Sequence, residues 1–229
     1  MTTTLIVSGG GDFTDPWHPF EATSELLREL LADEGHTVTV TTDVIASLVG
    51  IGETAHQLHD AEGNPALPDL VVINAGNAEQ PTPGDAAAIA GLERYLATGR
   101  PLLVMHVATT AFPEVEAWED IVGGRWVRGT TMHPDWDNGT VHVATDAHPV
   151  VAGIHDFDVW DERYSYLRVA PGVVPLATQE HDGLEHPILW AKQHGGARVV
   201  YDALGHESRS YESEPHRQII RNAAAWLTE

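Results

Sequence analysis

Pro101-Leu102-Leu103-Val104-Met105-His106-Val107-Ala108-Thr109-Thr110-Ala111 is the stretch that decides the fold. The apolar run Pro101 to Met105 reads as a buried strand, and it ends abruptly in His106 before a small-residue segment that opens a helix. In open parallel α/β sheets the ligand crevice lies beyond the carboxyl ends of the strands, so a polar side chain at such an elbow points into it. His106 is therefore the first catalytic candidate. The alternative is a structural histidine satisfied by the surrounding loop.

Outward from this stretch, the first half alternates strand and helix. Thr4 to Ser8 is a short β run closed by Gly9-Gly10-Gly11, and Pro19 to Glu34 carries Leu26, Leu27, Leu30 and Leu31 at helical spacing up to Gly35. Val38 to Thr41 and Asp69 to Asn74 are strands, the segment between them is irregular, and Asp85 to Ala97 is a helix capped by Gly99. This β-α-β-(α)-β-α-β order predicts an α/β fold: an open, mostly parallel, doubly wound sheet with helices on both faces. The second half changes texture. Trp118 to Val122 gives one or two helical turns ended by Gly123-Gly124, and short β candidates follow at 140–143, 164–167, 173–176 and 187–190. Ala197 to Tyr201 is a returning core strand, and His216 to Leu227 is a closing helix with Ile219, Ile220, Ala223 and Trp226 on its apolar face. With no repeat and no linker, residues 1–229 are expected to form a single domain with a β-rich insertion in the second half.

Composition removes several functions. The formal net charge of −22, from 34 acidic against 12 basic residues, argues against nucleic acid and anionic lipid as partners. The absence of cysteine removes disulfides, thiolate metal sites and every cysteine nucleophile. No membrane span or signal peptide is evident, so a cytoplasmic protein with no membrane partner is the default expectation. A homodimer is expected only on the general grounds that such enzymes often form one.

Of the 14 histidines, His36, His56, His59, His142, His148, His155, His181, His186 and His194 fall in turns or at alternating strand positions and are read as surface or turn residues. His206, in Leu204-Gly205-His206-Glu207, closely follows a core strand, so it would emerge at the same sheet edge as His106. A helix starting at His106 would hold its imidazole neutral, as a base or a metal ligand. Trp160-Asp161-Glu162-Arg163-Tyr164 offers adjacent carboxylates between aromatic faces, with Glu162 the favoured acid/base group and Asp161 an orienting one. An exposed strand edge with local ion pairing would look the same. Trp17 and His18 after the first strand, together with His133 and Trp136 in Met132-His133-Pro134-Asp135-Trp136, complete the candidate sugar-binding set with Trp160, Asp161 and Tyr164. The glycine run matches no dinucleotide or P-loop pattern.

The order of Gly9-Gly10-Gly11, the elbow Val104 to Phe112, Gly123-Gly124-Arg125-Trp126 with His133, Asp146-Ala147-His148-Pro149-Val150, Trp160 to Tyr164, and Leu204-Gly205-His206-Glu207 resembles the ThuA-like, trehalose-utilisation family. The resemblance implies a flavodoxin-like fold related to class I glutamine amidotransferases. In those enzymes the elbow carries a cysteine assisted by a later histidine, at the positions of His106 and His206; without cysteine, glutamine hydrolysis by that route is excluded. It further implies a small-molecule sugar as ligand, a glycoside or 3-keto-glycoside of a trehalose-type disaccharide pathway. His106, His206 and Glu162 would then carry acid–base chemistry of a lyase, hydrolase or isomerase. A divalent metal, zinc or manganese, is the candidate cofactor, although no ligand spacing specifies one. The alternative is a non-catalytic sugar-binding or regulatory protein.

Overall fold

The first half of the chain alternates as β1 (Thr3–Ser8), α1 (Phe20–Asp33), β2 (Thr37–Thr41), α2 (Val44–Gly50), β3 (Leu70–Asn74), α3 (Asp85–Leu96) and β4 (Leu102–Met105) in a computed structural model. The second half supplies α4 (Glu116–Val122), β5 (Gly124–Arg125), β6 (Asp137–Val143), β7 (Phe157–Asp161), β8 (Arg168–Val169), β9 (Pro175–His181), β10 (Leu184–His194), β11 (Ala197–Asp202) and α5 (Glu214–Thr228). The structure describes residues 2–51, 66–76, 80–144 and 148–229; His56, His59, and Asp146 and Ala147 of the Asp146–Val150 motif lie outside the described residues.

One nine-stranded sheet runs in the order β2-β1-β3-β4-β11-β10-β9-β6-β7. The β2-β1-β3-β4-β11 part is parallel throughout, the order of a flavodoxin-like sheet. β3 and β4 are buried at every position, which is why they read as unbroken apolar runs rather than alternating ones. Helices α1 and α5 pack against each other over the sheet, as do α2 and α3. The apolar faces expected for α1 and α5 are the buried ones, except that Leu26 is only partly buried, Trp226 lies partly exposed beneath the Arg198 guanidinium, and Ala224 and Leu227 are buried instead. From β11 the sheet continues antiparallel through β10, β9, β6 and β7, so the β-rich second half extends the sheet.

Three expectations change. The segment after β4 is a five-residue 3-10 turn, His106–Thr110, rather than the start of an α-helix. Residues 164–167 are not a strand: Ser165 forms an isolated bridge to Met132, and Tyr166 has φ 60°, which breaks extended backbone. The strand lies one step earlier, in β7, where burial alternates from Phe157 to Asp161. His186, read as a surface residue, is buried, with its Nδ1 accepting from the Tyr166 N–H.

Contact between α2 and α3 depends on Gly91, where a Cβ would lie 2.0 Å from the Leu48 carbonyl oxygen. Alanine normally stabilises a helix interior by about 1 kcal/mol over glycine. Here Gly91→Ala is expected to destabilise by about 1–3 kcal/mol through overpacking. Urea unfolding checks this, and a more stable variant would mean the helices do not approach so closely.

Candidate functional site

The register of β4 on β11 sets the geometry of the elbow. Met105 pairs with Asp202, so His106 and Ala203 leave the sheet side by side. His106 has φ 42°, a left-handed conformation that turns the chain within one residue. Its Nδ1 lies 2.6 Å from the Ala203 carbonyl oxygen. A carbonyl can only accept, so Nδ1 carries the proton and Nε2 faces the site. The Tyr201 hydroxyl donates to the His106 carbonyl (3.0 Å), and the Trp118 indole N–H donates to Ala108 (2.9 Å), fixing the turn on both sides.

Four side chains from three loops and the end of β7 converge there. His18 comes from the loop after β1, His106 from the elbow, Glu162 from the residue after β7, and His206 from the loop after β11. One ligand atom from each lies within 4.8 Å of all the others. Glu162 sits centrally, with Oε2 3.3 Å from His106 Nε2 and Oε1 3.3 Å from both His206 Nδ1 and His133 Nε2. The His18 ring is held from behind by Asp15, whose carboxylate lies 2.7 Å from Nδ1. One buried imidazole nitrogen, His18 Nε2, makes no hydrogen bond, and His206 Nδ1 meets only the Glu162 carboxylate. An unpaired buried polar atom is costly, so His18 Nε2 within this cluster marks a place built for a ligand.

The electrostatics differ from the helix-end expectation. Burial by itself would raise the Glu162 carboxyl, but the hydrogen bonds and charges of His106 and His206 hold it well below the usual carboxylate range. Burial would lower the His106 imidazolium, yet Glu162, then Asp161 and the Ala203 carbonyl, raise it. His18 goes the other way, to about 4, driven by burial and then by His106 against the opposing pull of Asp15. Burial keeps the Tyr164 hydroxyl protonated, and it lies 3.0 Å from His106 Nε2.

A cavity of about 180 Å³ opens over this cluster, walled by Trp17, His18, Trp126, His133, Glu162 and Tyr164. Trp17 is 60% exposed at its rim, and Trp136, 43% exposed, places its ring 4.6 Å from that of His206. His133 is anchored through Nδ1 to the Pro134 carbonyl (2.9 Å). The structure thus brings together His18, His106, His133, Glu162, Tyr164 and His206, with Trp17 at the cavity edge and Trp136 against the His206 ring. Two expected sugar-binding residues do not reach the cavity. Asp161 is buried with its oxygens taken by the N–H groups of Glu162, Gly205 and His206 and by the Ser210 hydroxyl. Trp160, on the opposite face of β7, stacks on the Arg209 guanidinium at 3.9 Å. Trp126 and Arg128 line the cavity and were not anticipated as site residues. Trp126 stands in a recognised motif, but no spacing rule connects it to His133 and Tyr164, whose rings it meets at 6.2 and 4.7 Å between centroids.

Behind the site, His216 of α5 sits between Ser210 and Asp202. Its Nδ1 is 3.1 Å from the Ser210 carbonyl and its Nε2 is 3.3 Å from an Asp202 oxygen. Burial opposes its charged form, but Asp202, and more weakly Asp161, raise its pKa above the ordinary value.

The family model for trehalose utilisation (ThuA) matches residues 5–227. A ThuA-like protein from Parabacteroides merdae has a similar structure, with TM-score 0.77 and 17% identity over 99% of this chain and 90% of that one. A second ThuA-like protein, from Bacteroides uniformis, gives TM-score 0.75 and 16% identity over 99% of this chain and 91% of that one. A cytoplasmic protein from Salmonella typhimurium follows at TM-score 0.64 and 10% identity, over 99% of each chain. These likenesses concern the fold. No curated protein sequence matches the chain. Among the described residues no helix is long and apolar enough to cross a membrane.

The His216 pair gives a pH-dependent term whose sign is set by the raised imidazolium. Its contribution is fully present below the unfolded-state value near 6.5 and is lost as pH rises through the higher folded value. The stability advantage of the wild type over His216→Gln is therefore expected to be largest below pH about 6.5 and to shrink above it. Paired denaturant titrations from acid to alkaline pH measure the difference. A constant gap would remove the charged form of His216. Asp202→Ala, which leaves that charge buried alone, is expected to cost about 3–5 kcal/mol at acid pH.

Proposed function

Because the chain belongs to the ThuA, or trehalose-utilisation, family, we propose that it is a cytoplasmic carbohydrate-processing enzyme that acts on a glycoside or 3-keto-glycoside with the help of a divalent cation. The observation that carries this reading is the convergence of three imidazoles and one carboxylate on a common point, with His18 Nε2 buried there without a partner. The donor set suits zinc or manganese. Asp15 on His18 Nδ1 and the Ala203 carbonyl on His106 Nδ1 are the kind of outer contacts that orient metal-binding imidazoles and fix their tautomers. Tetrahedral ligand bonds of about 2.0–2.2 Å would set donors about 3.4 Å apart. The four donor atoms, all within 4.8 Å of one another, would draw together around a bound ion.

With His18, His106, Glu162 and His206 as ligands, a bound cation would polarise a substrate carbonyl. Proton transfer then falls to His133 and Tyr164. His133 Nδ1 is tied to the Pro134 carbonyl, which leaves Nε2 turned toward the cavity as acceptor or donor. The buried Tyr164 keeps its hydroxyl proton and can donate it. On a 3-keto-glycoside the C2–H is acidified by the neighbouring carbonyl, and removing it suits a neutral imidazole. The C–H electron pair becomes the C1–C2 double bond, the C1–O bond breaks, and the departing oxygen takes a proton. Trp17 at the rim and Trp136 beside His206 offer exposed flat faces to the sugar rings. The neighbouring fold described as a cytoplasmic protein supports the location.

Elemental analysis of untagged protein tests the metal. Near-stoichiometric zinc or manganese is expected in the wild type and its loss in His106→Ala with His206→Ala. His133→Ala is expected to retain metal while turnover of a 3-keto-disaccharide falls by about 10²–10⁴. Wild type that stays metal-free after supplementation would sink the metal assignment, and tight sugar binding with no product would make the protein a binding module.

A further inference from the structure

The histidine cavity continues into a second compartment of about 260 Å³ with which it shares Thr110, Trp126 and Arg128. The second compartment adds Arg125 and Arg168, and no carboxylate residue lines it among the described residues. Three of the chain's eleven arginines thus wall one groove of a protein with a net charge of −22.

The three guanidiniums are not equivalent. Arg168 is neutralised by a bidentate pair with Glu119. Arg125, on β5, is 9% exposed and donates to the Phe112 carbonyl, yet no carboxylate among the described residues lies within ion-pair distance of it. Burial disfavours its charge more than the distant Glu119 and Glu116 restore it. A guanidinium this deep normally has an anionic partner, because its desolvation is otherwise uncompensated. Carboxylates do occur on the far side of Arg125 and Arg168, where Glu114, Glu116 and Asp120 line the next depression. The arginine-walled stretch is therefore confined between that depression and the histidine cavity.

We propose that the ligand processed at the histidine cluster carries an oxyanion, a sugar carboxylate or a sugar phosphate, that seats in the groove between Arg125 and Arg128. Planar guanidiniums match both groups through paired N–H donors. This deepens the sugar reading and rests on it: the reacting ring lies over His133 and Glu162, and the charged substituent or second unit lies beyond Trp126. Specificity for an acidic sugar also fits the strongly acidic chain, since only a local cluster of arginines can overcome the general repulsion of anions.

Titration calorimetry on the full chain, with glucuronate, glucose 6-phosphate, methyl glucoside and inorganic phosphate as probes, tests it. The anionic sugars are expected to bind roughly tenfold or more tightly than methyl glucoside, with an advantage that falls as salt rises. Arg128→Gln and Arg125→Met are each expected to erase most of that advantage, bringing the affinity ratio of anionic to neutral sugar toward one. Arg128 is exposed, so its variant decides the matter if Arg125→Met fails to fold. Equal binding of charged and neutral sugars, or an advantage that survives in the Arg128 variant, overturns the proposal and leaves the sugar reading intact. Inorganic phosphate binding as tightly as glucose 6-phosphate, with no binding of methyl glucoside, overturns both.

Discussion

One buried carboxylate, Asp161, joins the two halves of the sheet. In strand order β7 lies at the far edge from β2, with β11, β10, β9 and β6 between it and β4. Yet Asp161 at the end of β7 accepts from the backbone of Gly205 (2.8 Å) and His206 (3.3 Å), just beyond β11, and from the Ser210 hydroxyl. The antiparallel extension must therefore bend back toward the carboxyl ends of β4 and β11. Without those donors a buried carboxylate would be costly, and with them it becomes a fastener of fixed geometry. Everything that follows Asp161 in the chain inherits that placement. Glu162 is delivered into the histidine cluster because its predecessor is locked, and Tyr164 reaches His106 two residues later.

The same fastening explains the division of labour between adjacent carboxylates. Asp161 and Glu162 point in different directions from the end of one strand, and their surroundings differ in kind. Asp161 meets backbone N–H groups and a serine; Glu162 meets the imidazoles of His106, His133 and His206. Backbone donors are fixed and carry no exchangeable charge, so Asp161 serves geometry. Imidazoles titrate and ligate, so Glu162 serves chemistry. Behind them the Ser210, His216 and Asp202 chain is sealed from the cavity, and it supports the loop bearing His206 from the opposite side.

The parallel half was legible in the sequence because its strands are buried on both faces and its helices carry a clear apolar stripe, signals that survive without any knowledge of neighbours. The carboxyl-edge rule then placed His106 and His206 together correctly, since both follow core strands that turn out to be adjacent and parallel. The β7 strand was missed because its Asp158 and Asp161 resemble turn residues; only the pairing of Asp137 with Asp161 and Thr140 with Asp158 reveals them as strand positions. His18 stood out only as part of a polar, aromatic loop. Its role depends on Asp15 bonding the ring from behind and on contact with His106 and His206, both far away along the chain. The exclusion of Trp160 and Asp161 from the cavity had no local signal either, because alternation along a strand predicts opposite faces but not which face meets a ligand.

A histidine at the elbow demands more of the backbone than its position alone suggests. The left-handed φ of 42° at His106 costs of order 1–3 kcal/mol for a residue with a Cβ, and such conformations persist only where the surroundings over-determine them. Here they do. Tyr201 holds the His106 carbonyl, Trp118 holds that of Ala108, and Gly76 allows the Val107 carbonyl to approach where a Cβ would stand 2.4 Å away. A relaxed extended conformation would carry the ring past the sheet edge and away from the Ala203 carbonyl. That contact decides which nitrogen faces Glu162. The strain at one residue is therefore what couples strand register to imidazole tautomer, and the tautomer is what makes Nε2 available to a ligand in the cluster.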